Sequence, residues 1–345
     1  MDSSRPAARP TIKDVAAMAG VSWMTVSRVI RNPSLVAEKT RVQVQAAIDK
    51  LNYIPDLSAG SLSSQQSSTV VVVLPSLHFE GHIRSVDGLS STLREHGFHL
   101  LIADYFYSQD EEIELLKTVL GRRPAGIVLV NSMHSQKGRK LLLSTGVPLV
   151  ETWDYPTQPM DAVVGFSHAK VGYALAQHLI EQSYERIAFI GGPDDLDPKG
   201  VERRNGYFAA LKAHGLDASR VISVPDEHLT IAAGKTAIGL LLEKYPDTDA
   251  AICLTDRVAM GAMMECERRG IRVPEQLAIT GHGGFDFSAH LLPALTTTRV
   301  NAFEIGRKAA DIIINRARDK EISKSDQRVE LAFEVVERAS SVRNR

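Results

Sequence analysis

Six residues near the start of the chain carry side chains suited to chemistry on a polyanion. Ser22, Thr25 and Ser27 offer hydroxyls, Arg28 offers a guanidinium fork, and Trp23 and Met24 offer broad apolar surface. Such a set recognises rather than reacts. A second group stands at or just beyond the ends of short apolar runs: Ser76 with Leu77, Asn131 with Ser132, Trp153, Phe166 with Ser167 and His168, Thr255 with Asp256, and His282, joined by Arg203. In open α/β sheets ligands bind beyond the carboxyl ends of the strands. Polar groups gathered there with two aromatic rings suit a polyhydroxylated ligand, since rings pack on a sugar face and polar groups bind hydroxyls. The same residues could equally cap backbone and line solvent.

The first group needs a helix to present it. Thr11 followed by Asp14 fits a capping box, so a helix is expected from Ile12, with Val15, Ala16 and Ala19 on one apolar face and Gly20 at its end. Ser22 then caps a second helix in which Val26, Val29 and Ile30 face the first, while Trp23, Met24, Ser27 and Arg28 point elsewhere. This spacing predicts a helix-turn-helix, whose second helix lies in the DNA major groove. A capped helical hairpin is also common in all-α domains. A third helix is expected over Ala37–Leu51, broken by NYIP.

The run TIKDVAAMAGVSWMTVSRVI, with VAEKTRVQVQAAIDKLNYIPDLSAGSL behind it, resembles the DNA-binding headpiece of the LacI/GalR family of bacterial transcription regulators through residue 62. The resemblance implies that Trp23, Met24 and Arg28 read bases, that Ser22, Thr25, Ser27 and Thr40 hold phosphates, and that Leu62 wedges into the minor groove, with Thr11 and Asp56 counted among the DNA contacts. It also implies a hinge helix from Asp56 to Leu62 that folds when two copies meet on DNA. By composition alone, Ser58, Gly60, Ser61 and Ser63 read as an ordinary linker. Asp56 departs from the family's usual Asn, Gly60 from a frequent Arg, and Met24 from a hydrogen-bonding residue. A carboxylate repels phosphates and Met cannot pair with a base edge.

A chain of 345 residues is too long for a headpiece alone and predicts two or three compact units. Net charge is −1; up to Leu62 eight basic residues face five acidic ones, a +3 surplus that the remainder balances at −4. Only Cys253 and Cys266 occur, so neither a disulfide framework nor a zinc motif is written here, and a reducing cytoplasm suits them. MDSSRPAARP lacks the apolar core of a secretory signal and reads as a disordered leader over residues 1–10; no apolar stretch is long enough to span a membrane.

From Thr69 short apolar strands (TVVVVLP, HLLIAD, GIVLV, PLVETW) alternate with amphipathic helices, and after DAVVGF the pattern repeats through RIAFIGG, AAICLTD and LAITGH. Alternation of this kind predicts parallel sheets covered on both faces. The fold class is therefore α/β: an N-terminal all-α headpiece over 11–55, a hinge and linker over 56–68, and a two-lobed domain over 69–342. The resemblance implies the two-lobed fold shared with periplasmic binding proteins. Lobe one is expected over about 69–164 and 296–324, lobe two over about 165–295 and 325–342.

In that fold the interlobe cleft takes the effector. Arg203 matches the family's effector-gripping Arg in RRNGYFAAL, and its planar fork suits a carboxylate bidentately, although an Arg opening a helix is often simply solvated. The family's Asn-Asp pair is Thr255-Asp256 here, and its Tyr-Asp-Asp is His282-Gly283-Gly284, so an acidic pair leaves the pocket mouth and an anion is better tolerated. VETWD and VVGFSH also resemble gluconate-operon repressors of the family. The implied protein is a cytoplasmic homodimeric repressor that binds double-stranded operator DNA and is released by a sugar acid, without cofactor or metal. A sugar-transport receptor, or a regulator of a neutral-sugar or nucleobase pathway, would share the fold. Enzyme motifs are missing: GGPDDL is no dinucleotide fingerprint, and neither a phosphate loop nor a nucleophile elbow occurs. His78 and His82 could hold a metal on a helix, but Pro75 and Gly81 argue for a loop there.

Overall fold

The computed structural model describes residues 9–55, 67–77, 79–105, 108–131, 134–194, 198–224, 230–318, 323 and 325–343. The hinge assigned to Asp56–Leu62 therefore lies outside the described residues, as do Ser132 and His78. The chain divides into two compact units, up to Gln66 and from Ser67 onward.

Among the described residues of the first unit stand the α-helices α1 (Ile12–Ala19), α2 (Trp23–Arg31) and α3 (Glu38–Leu51). Thr11 and Asp14 close the capping box reciprocally, with the Asp14 carboxylate accepting from the Thr11 backbone N–H at 2.7 Å. Gly20 turns the chain at φ 61°, a left-handed conformation that glycine adopts without a Cβ penalty. Ser22 accepts from the Thr25 N–H at 3.1 Å and starts α2. Val15, Ala16, Ala19, Val26, Val29, Val44 and Ala47 form the small core, so the apolar face fixes which side of α2 is left outward.

Two six-stranded sheets organise the second unit. The first runs β11-β5-β4-β3-β1-β2, from β1 (Thr69–Leu74), β2 (His99–Asp104), β3 (Gly126–Val130), β4 (Leu149–Trp153), β5 (Ala162–Gly165) and β11 (Arg328–Glu330). The second runs β12-β10-β9-β8-β6-β7, from β6 (Ile187–Gly191), β7 (Val221–Ser223), β8 (Ala250–Cys253), β9 (Ala278–His282), β10 (Thr296–Val300) and β12 (Phe333–Val336). Among the described strands, only β12 is antiparallel to its neighbour. Strands β3, β6, β8 and β9 are buried along their whole length, which is why they read as unbroken apolar runs.

The return segments differ from the expected boundaries. Residues 296–324 do not rejoin the first lobe as one piece: β10 pairs with β9 in the second sheet, and only the following helix, Ala302–Ala317, packs on the first. Conversely Arg328–Glu330 pairs with β5 in the first sheet before Phe333–Val336 crosses to the second. A threonine run hid β10: Thr296, Thr297 and Thr298 are fully buried because each hydroxyl finds an internal partner, so polarity misleads there.

The helices come in close pairs: α4 (Glu80–Glu95) with α11 (Ala302–Ala317), α7 (His168–Glu181) with α8 (Pro198–Ala213), and α9 (Ile231–Lys244) with α10 (Asp256–Arg268). Between α3 and α7 in sequence lie also α5 (Gln109–Gly121) and α6 (Gln136–Leu143). Each pair crosses on facing glycines, Gly88 with Gly306, Gly172 with Gly206 and Gly234 with Gly261, where any Cβ would lie 1.8–2.1 Å from a backbone oxygen of the partner helix. Against expectation, α4 begins at Glu80 and includes Gly81 and His82. Gly81 is small because a Cβ there would meet the Trp153 ring at 2.4 Å, a constraint invisible in local sequence.

Candidate functional site

On α2 the burial of Val26 and Val29 leaves Trp23 and Met24 large, apolar and 55% and 60% exposed, beside an exposed Arg28. Unsupported apolar side chains on a small helix are costly in water, and they sit at the N-terminal end from which major-groove readers project. Ser22 and Thr25 are tied together by a 2.9 Å hydroxyl contact, Thr11 is the α1 cap, and Ser27 and Thr40 are half-buried.

Between the two sheets of the second unit the strand-end residues gather around an aromatic series. Trp153 ends β4 with φ 75°, a left-handed conformation rare for a bulky residue, and its indole N–H donates to Ser85 Oγ at 3.2 Å. Its ring packs edge-on against Phe79, His82 and Phe166 at 5.5, 5.3 and 6.0 Å. Phe166 continues to His168 at 4.7 Å and to His282 at 6.0 Å, while Phe79 reaches Phe285 of the second lobe at 5.1 Å.

Behind these rings lies a buried basic cluster. Arg203, only 6% exposed, donates from Nη1 to His168 Nδ1 at 2.8 Å, which leaves Nε2–H of His168 to donate to Asp154 Oδ1 at 3.2 Å. Lys199 Nζ approaches the same Asp154 oxygen at 3.5 Å. Burial, against the opposing pull of Asp154, brings His168 down to about 4, and burial with the nearby Lys199 charge brings His82 to about 3. His282 is held well below its ordinary value by burial first and by Arg203 next. The three imidazoles are therefore neutral hydrogen-bonding groups at pH 7, set among the charged side chains of Arg203, Lys199 and Asp154.

The other expected contacts fall unevenly. Ser76 is buried and its carbonyl accepts from His82 Nδ1 at 2.9 Å; Leu77 is exposed; Asn131 is half-buried and its carbonyl accepts from His134 Nε2 at 3.0 Å. Ser167 and Thr255 cap α7 and α10. Asp256 turns inward, accepting from Phe285 N–H, Ser288 Oγ and Thr297 Oγ1 at 2.9, 2.6 and 2.6 Å. His282 pairs with Thr298 Oγ1 at 2.7 Å. Sequence reasoning missed Phe79, Asp154 and Lys199, and weighed His82 only as a metal ligand; the Asp that directly follows a buried strand-end Trp is the one signal that could have raised Asp154.

A cavity of about 490 Å³ opens beside Trp153 and Phe285, walled by Arg84, Arg299, Asn301 and Glu334. Its charges are already matched, Arg299 with Glu334 at 2.5 Å and Arg84 with Glu80 at 3.7 Å, so it offers an anion less than the Arg203 cluster does. Among the described residues no group of three or more metal-ligating side chains is brought together, and no helix is long and apolar enough to cross a membrane.

Residues 11–56 match bacterial regulatory proteins of the lacI family, and residues 176–341 match the periplasmic binding protein-like domain. The chain is 32% identical to the HTH-type transcriptional regulator GntR of Pseudomonas aeruginosa, over 98% of both chains. The chain belongs to the LacI family. It is accordingly a DNA-binding transcriptional regulator and not an enzyme. The regulator is also 31% identical to the HTH-type transcriptional regulator IdnR of Escherichia coli K12, over 91% of this chain and 93% of that one. Its fold matches a crystallised LacI-family transcriptional regulator from Silicibacter pomeroyi with TM-score 0.88 and 31% identity, covering 97% of this chain and 100% of that one.

Proposed function

We propose that this LacI-family protein is a homodimeric, cytoplasmic repressor of sugar-acid catabolic genes, released from its operator by a gluconate-like acid bound between the lobes. The observation that carries the reading is Arg203, buried in the second lobe and donating to a neutral His168, with Lys199 on the same helix. Such a site offers a planar guanidinium fork that suits a carboxylate, while the Trp153 ring, which lines the neighbouring cavity, offers a surface for a carbon chain. Gly283 and Gly284 add no charge at the mouth. Trp23, Met24 and Arg28 would read the operator, with Ser22, Thr25, Ser27 and Thr40 on phosphates.

Calorimetry with gluconate and glucose tests the effector. Gluconate should bind more tightly, and Arg203→Met should lose about one to two decades of gluconate affinity with the fold intact, as loss of a charge-assisted contact worth roughly 1.5–3 kcal/mol requires. Equal affinity of the wild type for acid and neutral sugar would reject the sugar-acid reading.

The dimer follows from an edge. Strand β2 ends the first sheet, and Leu101 and Ile102 stand 45% and 49% exposed on it, while α4, which packs against β2, carries an exposed Ile83. A long apolar edge strand left open invites pairing, so a second copy is inferred to cover it. Ile102→Glu should convert a dimer at micromolar concentration into a monomer in sedimentation velocity; an unchanged dimer would place the interface elsewhere.

A further inference from the structure

We propose that this regulator reads a methyl group: Met24, on the outward face of α2, demands the C5-methyl of a thymine in each operator half-site, within two base steps of the base that Arg28 meets. The proposal rests on α2 being the helix that enters the major groove.

The placement follows from how α2 is held. Val26 and Val29 are buried in the headpiece core, and at roughly 3.6 residues per turn Met24 stands on the side of the helix opposite to them. Ser22 caps the helix by accepting from the Thr25 N–H at 3.1 Å, and the Ser22 and Thr25 hydroxyls lie 2.9 Å apart, so both hydroxyls take part in the cap. What projects from that end is apolar: Met24 is 60% exposed and Trp23 55%. Arg28 follows Met24 by one turn on the same face and is exposed as well.

The chemistry of the side chain then selects the base. In the major groove guanine, adenine and cytosine present only hydrogen-bonding groups, whereas thymine adds a methyl beside its O4 acceptor. A thioether has no donor and is a weak acceptor. Against the first three bases it removes water without replacing the lost hydrogen bonds, and against a methyl it gains apolar contact. Trp23 carries an indole N–H that suits a phosphate or base acceptor, so the methyl requirement is assigned to Met24. Four residues of helix advance roughly 6 Å and stacked base pairs stand roughly 3.4 Å apart, which sets the limit of two steps between the methyl and the base opposite Arg28. Arginine pairs best with O6 and N7 of guanine, so each half-site combines a thymine and a guanine at short, fixed spacing.

The experiment uses the full chain on a duplex that it selects from a random library. Replacing single thymines by deoxyuridine removes a methyl and leaves every hydrogen-bonding group of the base in place. At one thymine per half-site this should weaken binding about fourfold, and at both half-sites about fifteenfold, as loss of one buried methyl from each requires. At the same position 5-methyldeoxycytidine should bind about fourfold more tightly than deoxycytidine. Met24→Gln keeps the side-chain length and the helix propensity, and in that variant uracil and thymine should bind alike. A selected site without an invariant thymine, or unchanged affinity at every uracil, would overturn the proposal. So would a uracil penalty equally large in Met24→Gln, because the methyl would then act through another group or through DNA shape. Arg28→Gln separates the two levels. If it weakens binding while uracil has no effect, α2 still reads the operator and the methyl role alone falls; if Arg28→Gln, Met24→Gln and uracil all leave affinity unchanged, α2 is not the reading helix and both fall.

Discussion

Replacing Asp256 by Ala should destabilise the two-lobed unit by about 3–5 kcal/mol, the cost of removing one partner from a buried, fully hydrogen-bonded charged group. Its oxygens receive the Phe285 amide and the hydroxyls of Ser288 and Thr297, all within 2.9 Å and all buried. Burial raises the Asp256 pKa, while those three bonds and the Arg338 charge pull it back, so its carboxylate is costly alone and tolerable only with its partners. Alanine would leave the Phe285 amide and the Ser288 hydroxyl without acceptors and Thr297 with only its long 3.3 Å bond to the Thr298 carbonyl. Asn keeps the oxygen that serves Phe285 and Ser288 and forces only Thr297 to reorient, so Asp256→Asn should cost less than half as much. Urea unfolding followed by far-UV dichroism measures both. An Asp256→Ala midpoint near wild type, accompanied by lost gluconate binding, would instead place Asp256 in the effector site.

That contrast shows which parts of the molecule were legible in sequence. The headpiece was, because its determinants act over three or four residues: Thr11 on Asp14, Ser22 on Thr25, and Gly20 at the turn. Strands buried on both faces were legible as apolar runs. The cleft was legible only as positions after strands, since which of those residues meet is decided by helices far along the chain. Ser167 and Thr255 stood at the expected ends and became caps. Asp154 and Lys199, 45 positions apart in sequence, approach only because two lobes close on each other. Likewise Gly81 argued locally for a loop, whereas the Trp153 ring is what required it to be glycine inside a helix.

Gly206→Ala should affect both stability and response, because it sits where α8 crosses α7. The added Cβ would lie 1.9 Å from the Ala169 oxygen and 2.7 Å from the Tyr173 nitrogen, and the reciprocal Gly172 already faces the Arg203 carbonyl. Backbone atoms cannot rotate away as a flexible side chain can, so α8 must retreat by roughly 1 Å or more, at a cost of about 3 kcal/mol. Lys199 and Arg203 ride on that helix. Their distances to Asp154 and His168 would lengthen together, and a directional bidentate site loses roughly tenfold or more when misplaced by that much. Gly234→Ala is the control: its Cβ meets the Val258 oxygen at 2.0 Å in the α9–α10 pair, whose helices carry none of the basic cluster. Both variants should lose comparable stability in urea, and only Gly206→Ala should lose gluconate affinity by calorimetry under conditions where both are folded. Equal loss of binding in the two would mean that global loosening, and not the placement of α8, governs the site; wild-type affinity in Gly206→Ala would separate the glycine crossing from effector recognition altogether.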